Sequence, residues 1–201
     1  MDWCEQKYTH TEFIAEIRNT VSCFTFFMVA IVILQYELIF PVIMSLIGIT
    51  SVMFHSTTGI YWQLADEMSI LLILIYFVYR LKFCNVAVLI LLSLILISTI
   101  PLFPQISAYL LFLFSSLIVY GVISQKARYT VVSYPYKVMS VVCTVVGIVC
   151  WIVDRTRLLC IHDWWHIFIS LTAYFGYMYV YSANVSDRSL TYSYIIQQKA
   201  V

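Results

Sequence analysis

The sequence predicts an all-α, polytopic membrane protein: a seven-transmembrane-helix bundle forming a single domain over residues 1–201. Three observations predict it. Hydrophobic residues make up 63% of the chain and charged residues only 10%, whereas a soluble domain carries about a quarter charged residues. Apolar runs recur along the chain, each close to the ~20 residues a helix needs to cross a bilayer. Gly and Pro are few, 5 and 4, so this is neither a low-complexity chain nor a linker. In lipid the backbone must satisfy its own hydrogen bonds, which makes such runs helices.

The elements follow in order. Residues 1–16 form a polar, interfacial acidic segment without the basic and short apolar regions of a cleavable signal. Spans are expected at about 17–35, 37–54, 66–82, 86–101, 105–124, 133–153 and 163–182. The turn "QYEL" separates the first two, "RLKFCN" the third and fourth, and "PLFP" the fourth and fifth. Pro101 and Pro104 bound helices there because each lacks a donor and restrains its predecessor. Residues 183–201 are expected to be a cytosolic tail.

Orientation follows from the cations. Lys7, Arg18, Arg155 and Arg157 fall on the N-terminal side, and Arg80, Lys82, Lys126, Arg128, Lys137, Arg188 and Lys199 on the other. The positive-inside rule then puts the C-terminus in the cytosol and the N-terminus in a lumen or outside. Net charge is +1 and no basic stripe exists, so nothing suggests nucleic acid.

Chemistry gathers on the N-terminal side. In "HDWWH", His162 and His166 stand at i and i+4, one turn apart on one helix face. That spacing lets two imidazoles grip one zinc ion, although the glutamate of HExxH is absent; alone, the pair reads more readily as interfacial, hydrogen-bonded histidines. His55 ends the second span on the same side. Three of the four histidines thus share one depth, and three histidines with one open position form a catalytic zinc geometry. Asp66, opening the third span, suits a general acid/base, against the alternative of a helix cap. Glu67 is its competitor. Ser51, one turn before His55, either assists at an oxyanion or satisfies its own backbone. Asp2, Glu5, Glu12 and Glu16 offer hard oxygen ligands for calcium, but without EF-hand spacing the pattern favours a solvated interfacial helix. Trp164 and Trp165 suit interfacial anchoring. No CxxC pair occurs, which argues against a thiolate zinc site. Cys23, Cys143 and Cys150 sit in apolar runs as small core residues.

These residues resemble a family. "DWCE" with "FIAEIRNTVS", "SVMFHSTTGIYWQLADEM", "WIVD" and "HDWWHI" are similar, in order and over most of the chain, to the blocks of the alkaline ceramidases, seven-span hydrolases related to the adiponectin receptors. The resemblance implies zinc on His55, His162 and His166, Asp66 as general acid/base, and Ser51 beside the metal. It implies calcium on Asp2, Trp3 (through its backbone carbonyl), Glu5 and Glu16, and a Cys4–Cys160 disulfide. A further calcium position falls on Lys7, which has no acceptor. The implied activity is zinc-dependent hydrolysis of the ceramide amide to sphingoid base and fatty acid, in the endoplasmic reticulum or Golgi, with ceramide-type and membrane lipids as partners. The alternatives are a seven-span hydrolase of another lipid, or a receptor or interaction protein with structural zinc.

Overall fold

A computed structural model of the chain describes residues 3–81 and 133–199, with side chains to residue 183, and isolated helical positions between 90 and 116. Most of the expected spans 86–101 and 105–124 lie outside the described residues, as do Asp2, Cys84, Lys82, Lys126 and Arg128. Among the described residues every regular element is an α-helix: α1 (Ile17–Ser22), α2 (Phe24–Ile33), α3 (Ile39–Thr57), α4 (Ile60–Leu81), α5 (Tyr134–Arg155) and α6 (His162–Lys199).

Three boundaries differ from the sequence expectation. The first run divides at Cys23, because Thr20, Ser22, Cys23 and Thr25 all turn their side chains back onto backbone carbonyls; such back-bonding bends helices. Next, α4 begins at Ile60, six residues before Asp66. Thr58 ends α3 in the left-handed region, φ 51°, and the chain re-enters a helix almost at once. Asp66 is therefore inside the helix and does not cap it. Lastly, the expected tail is helical: α6 runs on to Lys199, since no Gly or Pro follows Gly176 to stop it.

Packing centres on α6, which lies along α5 and also meets α1, α2 and α4; α3 pairs with α2 and α4. Phe26, Ile33, Phe40, Met44, Tyr76 and Tyr177 form the buried core where α2, α3, α4 and α6 meet. Gly48 permits the close α2–α3 contact, since a Cβ there would stand 2.7 Å from the Phe27 ring. At the "QYEL" turn, Glu37 accepts hydrogen bonds from Tyr76 Oη at 2.6 Å and Arg80 Nη1 at 3.2 Å, tying the turn to α4.

The outward faces are apolar. On α5, Val138, Val142, Val145, Val149 and Ile152 form an exposed stripe at helical spacing; a helix facing water carries polar residues there. By length and composition α3 and α5 can each cross a bilayer, with mean hydropathies of 1.7 and 2.1.

Candidate active site

The N-terminal segment is bound to the end of α3. The amides of Ala15 and Glu16 donate to the carbonyls of Ser56 and His55, at 2.9 and 3.0 Å, satisfying acceptors that a helix C-terminus leaves open. Glu5 caps α1: Oε1 accepts from the Arg18 amide at 2.8 Å and Oε2 from the Asn19 amide at 3.0 Å. Before α6, Asp154 Oδ1 accepts from the Ile161 amide at 3.1 Å. Arg18 Nη2 meets Asp163 Oδ2 at 2.8 Å. Cys4 and Cys160 come together with Cα atoms 4.9 Å apart, a separation that a disulfide spans.

These contacts assemble His55, His162 and His166 in one buried cluster. Their ring centroids stand 5.3, 4.8 and 4.7 Å apart, close enough to share one ion through bonds of about 2 Å. Each ring has its own support. His55 Nδ1 lies 2.6 Å from Glu16 Oε2; facing a carboxylate, this nitrogen carries the proton and leaves Nε2 as a donor to metal. His166 Nδ1 lies 2.7 Å from Ser22 Oγ. The Ser22 hydroxyl spends its one hydrogen on the Asn19 carbonyl, so it accepts from His166, which again leaves Nε2 free. His162 is held by stacking: its ring lies 3.7 Å from that of Trp3 at 25°, and Arg155 sits 5.8 Å from the Trp3 ring. His162 Nδ1 is buried without a hydrogen-bond partner among the described residues. An ion or a water at this nitrogen would complete it. Three neutral imidazoles fit zinc.

Asp66 is buried near them. Thr50 Oγ1 lies 3.5 Å from its Oδ1, and Ser51 is buried on the same cavity wall. Glu67 Oε1 accepts from Gln63 Nε2 at 2.9 Å. All four of Ser51, Gln63, Asp66 and Glu67 line a cavity of ≈ 200 Å³ that also reaches the three histidines. Trp165 lines it too, whereas Trp164 is outside, stacked on Phe168. Trp164 is about half exposed.

The sequence reading missed three supports. Ser22 carried no signal, lying in an apolar run 144 residues from its partner. Glu16, expected on calcium, is fully buried against His55. Cys23, expected in the core, is buried but belongs to the cluster. Ligand atoms of Cys23, His55 and His166 lie within 4.8 Å of one another. Its sulfur is 3.6 Å from His166 Nδ1, the nitrogen turned to Ser22, and donates to the Asn19 carbonyl at 3.0 Å. His162 joins this group through its ring, centred 5.3 Å from that of His55 and 4.7 Å from that of His166. His10 and Glu12 are exposed, as is Lys7. The fit to calcium is poor: the oxygens of Glu5 hold α1, Glu16 holds His55, and Lys7 brings a positive charge.

Removing an outer partner of a metal-bound histidine weakens metal binding about 10- to 100-fold. Ser22→Ala is therefore expected to lose zinc to a competing chelator at a correspondingly lower chelator concentration, and an unchanged affinity would remove Ser22 from this role.

The ceramidase family profile matches residues 1–198. Alkaline ceramidase 1 of Homo sapiens is 28% identical over 218 residues, covering 88% of this chain and 79% of the relative. Alkaline ceramidase of Drosophila melanogaster is 28% identical over 224 residues, covering 90% and 78%. Alkaline ceramidase 1 of Mus musculus is 30% identical over 218 residues, covering 88% and 77%. With the match spanning nearly its whole length, the chain belongs to the ceramidase family.

Proposed function

We propose that this chain hydrolyses the amide bond of ceramide within the membrane, using zinc held by His55, His162 and His166, and releases a sphingoid base and a fatty acid. The observation that carries the reading is the buried three-histidine cluster opening, beside Asp66, onto an apolar cavity. Family membership supports the substrate class.

A zinc ion in this site supplies a Lewis acid that polarises the amide carbonyl and acidifies water. The chain's own residues do the rest. Asp66 takes a proton from the attacking water and returns it to the leaving amine, without which an amide does not cleave. The Ser51 hydroxyl donates to the carbonyl oxygen as charge develops on it. Glu16, Ser22 and Trp3 keep the imidazoles oriented. No step requires calcium on Asp2, Trp3, Glu5 or Glu16.

Around this site we place a single domain of seven spans, with the N-terminal segment lumenal, the C-terminus cytosolic, and the Cys4–Cys160 bond formed in an oxidising compartment such as the endoplasmic reticulum or Golgi. The exposed apolar stripes of α3 and α5 support a lipid surrounding.

Asp66→Asn separates this reading from a receptor with structural zinc. It is expected to keep stoichiometric metal and lose ceramide hydrolysis by at least about 100-fold; retained turnover would remove Asp66 from the chemistry. For the bridge, Cys4→Ser protein denatured without reductant is expected to titrate one thiol more than the lower count of wild type, from the released Cys160. An equal or smaller count would mean that the bond does not form.

A further inference from the structure

We infer that Asp154 is the positioning residue for His162, holding on one carboxylate the two backbone segments that carry the stacked rings of Trp3 and His162. This rests on the zinc site proposed above and adds to it a residue outside the histidine cluster.

His162 is supported differently from its two neighbours. His55 has Glu16 and His166 has Ser22, whereas His162 Nδ1 has no hydrogen-bond partner among the described residues. A metal-binding imidazole is ordinarily oriented by a partner at its second nitrogen. In its place stands the Trp3 ring, 3.7 Å away at 25°. A stack orients a ring only while the backbones behind both rings are held in register.

Asp154, the aspartate of "WIVD", holds both backbones. It lies in the last turn of α5 and is 1% exposed. Its Oδ1 accepts from the amide of Ile161, the residue before His162, at 3.1 Å. Its Oδ2 faces the amide of Cys4, the residue after Trp3, at 3.5 Å. Arg155, the next residue on α5, lies 5.8 Å from the Trp3 ring.

The local fold returns the chain to this carboxylate. After α5 the Arg157 amide donates to the Asp154 carbonyl at 2.9 Å and the Leu158 amide to the Val153 carbonyl at 3.3 Å. Arg157 takes a left-handed φ of 58°. A residue with a side chain is disfavoured there and persists where surrounding contacts fix it. A carboxylate buried this deeply is costly unless hydrogen-bonded. Here it meets the open amide end of α6, where the helix dipole favours negative charge. Asp154 is not among the residues that line the cavity, so it acts on the chemistry only through His162.

The test uses the purified full chain. Zinc affinity is measured by chelator competition, and the visible absorption of the cobalt-substituted protein reports the geometry of the metal's ligands. Asp154→Ala is expected to lose zinc affinity about 10- to 100-fold and to shift the cobalt bands. Asp154→Asn keeps an oxygen for Ile161, is expected to fall between Asp154→Ala and wild type, and carries the test if the alanine variant does not fold. Because Trp3 and Asp154 act through one ring, Trp3→Ala with the Asp154 variant is expected to lose no more than the larger single loss. Losses that multiply would overturn the inference. So would Asp154 variants that melt at lower temperature yet keep wild-type zinc affinity and cobalt spectrum. Shifts in both readouts in a chain that cleaves no ceramide would uphold Asp154 and overturn the proposed activity alone. Wild type that binds no zinc would overturn both.

Discussion

The hydrogen bond between His55 Nδ1 and Glu16 Oε2, 2.6 Å long between side chains that are 1% and 0% exposed, is the constraint on which the site depends. Either group buried alone is costly; the hydrogen bond between them, with Asn19 Nδ2 also donating to Glu16 Oε2 at 3.1 Å, offsets part of that cost. Satisfying the pair requires the segment before α1 to lie on the end of α3, where the Ala15 and Glu16 amides also complete the α3 carbonyls. That placement sets the direction of α1 and brings Ser22 to His166. The same segment carries Trp3 onto His162. One short polar stretch thus orients all three imidazoles, which come from two helices far apart in sequence.

The chemistry then follows from a gradient of polarity along one cavity. His55, Asp66, Glu67, His162 and His166 line the part next to the N-terminal segment, and apolar residues such as Ile73, Phe77 and Leu81 line the rest. A lipid whose scissile amide is polar and whose tails are not meets both ends correctly. In the proposed reaction, buried surroundings would strengthen the parts given to Asp66 and Ser51, because charge is screened less there than in water.

Much of this was legible in the sequence, for identifiable reasons. The i, i+4 pair His162 and His166 is a helix-periodic signal, and the expected span boundaries put His55 at the same depth. Asp66 and Ser51 were found by proximity to His55 on the same or the next helix. What stayed hidden depends on distant partners. Nothing in "FIAEIRNTVSC" says that Glu16 meets a histidine 39 residues on, or that Ser22 and Cys23 meet one over 140 residues on. The family resemblance implied calcium on Glu16, and its contact with His55 carried no signal in the sequence. The start of α4 was missed because polar "GIYWQLADE" breaks the hydropathy signal while leaving the helix intact. The helical tail was missed because polarity ends a span but does not end a helix.

The most direct test of the account is the zinc-edge X-ray absorption spectrum of the purified, full-length protein, with metal content measured alongside. The account predicts one zinc per chain, with a first shell of three imidazole nitrogens and one oxygen. A sulfur neighbour at about 2.3 Å would put Cys23 in the shell and contradict the three-histidine assignment. Protein that holds no stoichiometric zinc would contradict the metal site altogether.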